Sequence, residues 1–210
     1  MHHTALHDHH IKNGGKVVDF HGWALPIQFN GIIEEHVHTR TKVSLFDCSH
    51  MGEFLVKGTD AIAALEQLGY RNLIGLRVGR CRYSAILNTC GGIIDDIVAM
   101  RLSDDEMYVV TNAGPLETVS PMLKRSCGAC DLSSSTAKID VQGPLSRDVL
   151  LRMGFSDIDR LKFYTVCKTQ WQGQDIIASN MRVCRASHVS NESRVLLPIT
   201  QLWAAFSRKS

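Results

Sequence analysis

The sequence contains no apolar run approaching the roughly 20 residues that a membrane helix needs. Its longest stretches, such as Val195-Leu196-Leu197 and Ile93-Ile94, stop after a few positions, so no membrane partner is expected. A surplus of charge is lacking too. Lys plus Arg number 23 against 21 Asp plus Glu, a formal net charge of +2, and no broad basic surface for nucleic acid is implied. Neither Gly-x-x-x-x-Gly-Lys nor Gly-x-Gly-x-x-Gly occurs, which leaves nucleotide and dinucleotide cofactors without support. The opening Met1-His2-His3-Thr4-Ala5-Leu6-His7-Asp8 has neither a basic segment before an apolar stretch nor an Arg- and Ser-rich leader. No targeting segment is visible.

A disulfide framework is also missing. Cys48, Cys81, Cys90, Cys127, Cys130, Cys167 and Cys184 are odd in number and irregular in spacing, which suits reduced thiols in an intracellular compartment. Cys127-Gly128-Ala129-Cys130 could form half a zinc site or a redox pair, but a structural zinc needs two further ligands at matching spacing. None stands there, and no metal site is expected. Five of the ten histidines, His2, His3, His7, His9 and His10, crowd the first ten residues. Such a cluster can bind a transition metal adventitiously, yet a mobile terminus is the simpler reading.

What is present is an ordinary globular composition, 44% hydrophobic and 21% charged over 210 residues. Such a chain is long enough to bury about 70% of its unfolded surface in one or two domains. Ile32, Ile33, His36, Val37 and Val43 fall on one helical stripe across residues 32–43, after a turn-rich stretch from Trp23 to Gly31. Residues 51–57 read as a strand, and Gly58-Thr59-Asp60 starts a helix over 61–68 that Gly69 stops. Residues 81–87 and 93–102 form a hairpin around Asn88-Thr89-Cys90-Gly91-Gly92, and a third strand over 107–111 makes a meander. A helix over 115–127 should be interrupted or kinked at Pro121. A strand over 137–141, a helix over 145–153 and a hairpin of 164–171 with 174–179 follow. Hairpins interrupted by helices indicate an α+β fold of mainly antiparallel sheets with flanking helices.

Asp95 and Asp96 interrupt the apolar strand Ile93-Ile94-Asp95-Asp96-Ile97-Val98-Ala99, where carboxylates are depleted. Successive side chains of a strand point to opposite faces, so the two cannot line one pocket unless the strand bulges. A partly desolvated carboxylate suits an electrostatic or proton-transfer role toward an amine. Loop capping or pairing with arginines accounts for the pattern equally well. Arg71, Arg77, Arg80 and Arg82 read as a solvated basic loop, or as one that meets a substrate carboxylate.

Several ordered motifs resemble glycine cleavage T-proteins. They are Lys16-Val17-Val18-Asp19-Phe20-His21-Gly22-Trp23-Ala24-Leu25-Pro26-Ile27-Gln28, Gly31-Ile32-Ile33-Glu34-Glu35-His36 and Leu45-Phe46-Asp47-Cys48-Ser49-His50-Met51-Gly52-Glu53. Gly79-Arg80-Cys81-Arg82-Tyr83, Gly91-Gly92-Ile93-Ile94-Asp95-Asp96, Val109-Val110-Thr111-Asn112-Ala113 and Val141-Gln142-Gly143-Pro144 continue the order, over about the first 180 positions. The resemblance implies three domains around a tetrahydrofolate channel. The first would be discontinuous, residues 1–50 with 135–210, and the second would be 51–134, with the carboxy-terminal domain missing. It implies an aminomethyltransferase that moves a methylene group from the aminomethyl-lipoyl H-protein to tetrahydrofolate and releases ammonia. By the same resemblance Asp95 is the catalytic carboxylate, and Met51, Leu55, Tyr83, Ile97 and Asn112 join it in contacting folate. If Asp95 faces the channel, Ile97 and Ala99 should share that face and Asp96 should not. The compartment would be the mitochondrial matrix in a eukaryote and the cytoplasm in a bacterium.

The chain departs from the family after residue 179. Members continue with an Arg-Thr-Gly-Tyr-Thr-Gly-Glu type of motif, whereas this chain reads Asn180-Met181-Arg182-Val183-Cys184-Arg185-Ala186-Ser187-His188-Val189. Gln201 to Phe206 again resembles a helix expected downstream. Two alternatives accompany the leading reading: a catalytically defective folate-binding remnant, and a related folate-dependent one-carbon or tRNA-modification protein.

Overall fold

The computed structural model describes residues 1–181 and the backbone of residues 192–198. In chain order the elements are α1 (His7–Lys12), β1 (Val17–Phe20), β2 (Trp23–Pro26), α2 (Ile32–Thr41), β3 (Ser44–Asp47), β4 (Gly52–Lys57) and α3 (Thr59–Gln67). Next come β5 (Cys81–Leu87), β6 (Ile93–Arg101), β7 (Glu106–Thr111), α4 (Leu116–Cys127), β8 (Cys130–Asp131), β9 (Thr136–Gln142) and α5 (Ser146–Arg152). A 3₁₀ turn (Ser156–Arg160), β10 (Thr165–Trp171), β11 (Gln174–Asn180) and β12 (Glu192–Pro198) complete the described chain. Contacts gather these elements into two compact units. One holds Met1–His50, Ser135–Phe163 and the described residues from Lys168 on; the other holds Met51–Ser134 with Tyr164–Cys167.

In the first unit a sheet ordered β10-β11-β12-β9-β3 is accompanied by the β1-β2 hairpin. That hairpin occupies part of the stretch read as turn-rich. His21 and Gly22 both take positive φ, 51° and 83°, the twist a two-residue reversal requires, and Val17↔Pro26 to Phe20↔Trp23 pair behind it. β12 pairs with both β11 and β9, so a strand lies within the segment that departs from the family motif. The helix expected over 201–206 lies outside the described residues. α2 forms where the stripe places it, but none of its side chains is buried. Its start is held by Glu35, whose Oε1 accepts the backbone N–H groups of Phe29, Asn30 and Gly31 at 2.7, 2.8 and 3.1 Å.

The histidine-rich opening is not a mobile end. The His2 backbone N–H donates to Gly22 O at 2.7 Å and its carbonyl accepts from the Ala24 N–H at 2.9 Å, and α1 carries His10 into the unit. There His10 Nε2 lies 2.9 Å from Asp47 Oδ2, both side chains buried. Burial alone would raise the Asp47 pKa, but hydrogen bonds from His10 and Ser49 outweigh it and hold the group below its ordinary value.

The second unit is a sheet ordered β5-β6-β7-β4-β8 with α3 and α4 on one face. Phe54, Val56, Ile86, Ile97, Ala99, Met107 and Val109 from the strands meet Ile62, Leu65, Val119, Leu123 and Cys127 from the helices in one apolar core. The amphipathic spacing of α3 and α4 buries these positions together. α4 runs from Leu116 to Cys127 with Pro121 inside it rather than ending there. Proline at the sixth position forfeits one intrahelical bond, and burial of Val119 and Leu123 on either side offsets that cost. Gly52 is required where α4 begins, because a Cβ there would overlap Thr111 Oγ1 and Leu116 Cδ1.

The His10–Asp47 contact predicts a stability effect. Asp47 has a depressed folded-state pKa, so its contribution is complete above the ordinary aspartate range and is lost as pH falls through the lowered value. His10→Ala should cost about 1–3 kcal/mol at neutral pH and should move acid unfolding to higher pH. Urea unfolding followed by circular dichroism measures both, and an unchanged midpoint would contradict the anchoring role.

Candidate active site

The site is built on three strands of the second unit, and their register decides which side chains can meet. Tyr83 pairs with Val98 and Ala85 with Asp96 across β5-β6. Val98 pairs with Val110 across β6-β7, and Glu53 with Val110 and Leu55 with Tyr108 across β4-β7. Tyr83, Asp96, Val98 and Leu55 therefore share the face opposite the helices. By the same alternation Met51, one residue before β4, and Asn112, one residue after β7, fall on that face. Tyr83 is 45% exposed, Asp96 is exposed, and Met51, Leu55 and Asn112 are half-buried.

Asp95 and Ile97 have the opposite parity. Ile97 is 2% exposed within the apolar core under α3 and α4, where it cannot line a ligand site. Val98 is the neighbouring position on the face of Tyr83 and Leu55. Asp95 lies at the upper edge of the core and is 4% exposed. The expected parity holds, since Asp95, Ile97 and Ala99 do share a face, but that face is the one the helices cover. Asp96 presents its carboxylate to the surface instead.

A β-bulge aims both aspartates. Ile86 pairs with Asp95 but Leu87 with Ile93, leaving Ile94 as an extra residue on β6. The β6-β7 ladder ends at Val98↔Val110, and the backbone N–H of Asn112 is taken by Asp95 Oδ2 at 3.0 Å. Asn112 Nδ2 donates to Asp95 Oδ1 at 2.8 Å and to Asp96 Oδ1 at 2.9 Å, with Asp96 O at 3.2 Å. On the outer face the Tyr83 hydroxyl donates to Asp96 Oδ2 at 2.9 Å. Desolvation first, then the bond to Asp96 and its charge, push the Tyr83 pKa up to about 12. Burial likewise pushes the Asp95 carboxyl up, and its two bonds from Asn112 pull it back only in part.

The structure thus brings Tyr83, Asp95, Asp96 and Asn112 into one network, and Met51 and Leu55 share the sheet face of Tyr83 and Asp96. Asp96 and Val98 share that face without having been nominated from the sequence. Their signal was strand parity relative to Tyr83 and Leu55, which becomes usable only when the register is known. Two of the arginines near the hairpin turn to other partners: Arg82 donates to the Asn72 carbonyl and Arg71 lies over the Tyr70 ring at 5.7 Å. A cavity of about 410 Å³ in the same unit, lined by Gln67, Leu68, Leu87, Asn88, Thr89, Ile94 and Met122, contains none of the nominated residues. Among the described residues no group of three or more His, Cys, Asp or Glu side chains is placed to hold a metal ion, and no helix is long and apolar enough to cross a membrane.

The fold is that of the aminomethyltransferase class. The Bartonella henselae glycine cleavage system aminomethyltransferase T superposes with a TM-score of 0.88 at 28% identity, over 99% of this chain and 56% of that one. A Corynebacterium heterotetrameric sarcosine oxidase shares the fold more loosely, with a TM-score of 0.52 at 14% identity over 83% of this chain and 90% of that one. Residues 6–192 match the family described as GCVT N-terminal domain, and the chain belongs to that family. An aminomethyltransferase of a Thermotoga species is 35% identical over 85% of this chain and 50% of its own length. One from a Thermoanaerobacter species is 36% identical over 77% and 45%. The chain therefore spans about half the length of the curated relatives it matches.

The bond between Tyr83 and Asp96 makes a spectroscopic prediction. In Asp96→Asn the hydroxyl loses its charged acceptor, and the Tyr83 pKa should fall part of the way toward its ordinary value of about 10. Ultraviolet difference titration against Tyr83→Phe isolates this phenol, and an unchanged value would show that Asp96 does not hold it.

Proposed function

We propose that the chain is the amino-terminal part of an aminomethyltransferase of the glycine cleavage system. It would transfer a methylene group from the aminomethyl-lipoyl H-protein to tetrahydrofolate, the co-substrate, with release of ammonia. The unit built from residues 1–50 and 135 onward corresponds to the discontinuous first domain of such a protein, and the unit of residues 51–134 to the second. The lipoylated H-protein is the partner on this reading.

The observation that carries it is the composition of one sheet face. Met51, Leu55 and Val98 are apolar positions on the sheet face that carries Tyr83, Asp96 and Asn112. A flat ring with polar edges, such as a pterin, needs this combination of apolar contact and a few oriented polar groups. Asp96 is the carboxylate we assign to the ligand, in place of Asp95. Its charge can hold a protonated or partly positive nitrogen, and it is the exposed carboxylate of this face, able to take a proton there, whereas Glu53 on the same face is buried. Asp95 touches the ligand on neither count; it holds Asn112. Tyr83, kept protonated, positions the Asp96 carboxylate rather than acting as a base. The remnant and tRNA-modification alternatives are favoured by none of the relatives named above.

Isothermal titration of the chain with tetrahydrofolate tests this assignment. Losing a hydrogen bond to a charged group costs about 1.5–3 kcal/mol, so Asp96→Asn should weaken binding by about tenfold or more. Asp60→Asn, in the first turn of α3, should leave it unchanged. Equal affinities for all three chains would refute the site.

A further inference from the structure

Tyr83 and Asn112 spend the hydrogen-bonding protons of their side chains on Asp95 and Asp96. The phenol proton goes to Asp96 Oδ2. A primary amide has two N–H protons, and those of Asn112 go to Asp95 Oδ1 and to Asp96, through Oδ1 with the backbone O close by. Ionised carboxylates only accept. The atom that stands 2.8 Å from one carboxylate oxygen and 2.9 Å from another must therefore be the amide nitrogen. Turning the amide over would set its oxygen against both. Among the described residues Asn112 Oδ1 accepts no hydrogen bond.

The surface that results offers acceptors only: Asn112 Oδ1, the remaining lone pairs of Asp96 and the phenol oxygen of Tyr83. Asp96 accepts from the Asn112 amide nitrogen at 2.9 Å, but it is exposed, and water weakens its hold. Asp95 fixes the polarity from the protected edge of the core, gripping both the backbone N–H and the side-chain amide of Asn112 at 3.0 and 2.8 Å. We propose that Asp95 is a positioning residue that locks the polarity of Asn112, so that this site selects ligand groups that donate a proton, ring N–H or ammonium, over isosteres that cannot. The proposal rests on the reading that this face binds the folate. An Asn at position 95 could donate as well as accept, and would leave only the exposed Asp96 to oppose turning of the Asn112 amide.

The probes are tetrahydrofolate and carba analogues in which one ring or bridge N–H is replaced by CH₂. The wild-type chain should prefer tetrahydrofolate over at least one analogue by about tenfold or more, the size of a hydrogen bond to a polar site. Asp95→Asn should bind both ligands, with that preference reduced to about twofold. A role in stability alone would lower both affinities and leave the ratio untouched, and that result would overturn the proposal. Absence of any tetrahydrofolate binding by the wild type would overturn the functional reading and this inference together. If Asp95→Asn does not fold, nitrogen-15 spectra of the wild-type chain decide. Both Asn112 side-chain protons should exchange slowly with solvent in the ligand-free protein, and two freely exchanging protons would overturn the lock.

Discussion

The side-chain nitrogen of Asn112 holds two adjacent carboxylates that leave β6 on opposite faces, and the geometry of the second unit converges on that point. Like charges this close repel, and a strand interior disfavours both. The shared N–H donors offset the repulsion, the backbone N–H of Asn112 offsets the burial of Asp95, and the Tyr83 hydroxyl satisfies Asp96 from outside. The bulge at Ile94 sets where along β6 this happens. Because a one-residue slip would exchange the two faces, the bulge and the pairing Tyr83↔Val98 together determine which aspartate the surface presents.

The two faces then divide the labour of the sheet. The inner one is continuous with α3 and α4, and its apolar side chains supply the burial that stabilises the unit. The outer one keeps a polar network bordered by Leu55, Val98 and Met51. A buried carboxylate at the boundary links them, so that rigidity of the core reaches the polar groups of the site through Asp95 and Asn112. Fixing functional groups by buried partners is how a site keeps its geometry without each group being buried itself.

Much of this was legible in the sequence. The hairpin of 81–87 with 93–101, the helices of the second unit and the hairpin of 165–180 follow from alternation, helical spacing and turn glycines, all local signals. The family motifs located the aspartate pair, and parity correctly separated its members. Parity could not say which face the helices cover, because that depends on cross-strand register and on α3 and α4 packing against Ile86 and Ile97. The His10–Asp47 anchor was illegible for a similar reason: 37 residues separate the partners, and a histidine cluster by itself has the composition of a loose end. The apolar stripe of α2 gave the helix but not its exposure, since burial is a property of the neighbours.

The central claim is that Asp96, not Asp95, is the carboxylate a ligand meets, and carbon-13 spectra of a chain labelled at its aspartate carboxyls address it most directly. Addition of tetrahydrofolate should shift the Asp96 resonance strongly, with that of Asp95 following only weakly through Asn112; resonances are assigned from Asp95→Asn and Asp96→Asn. A large shift at Asp95 with Asp96 unmoved would contradict the account, and would mean that the ligand enters from the helix side of the sheet.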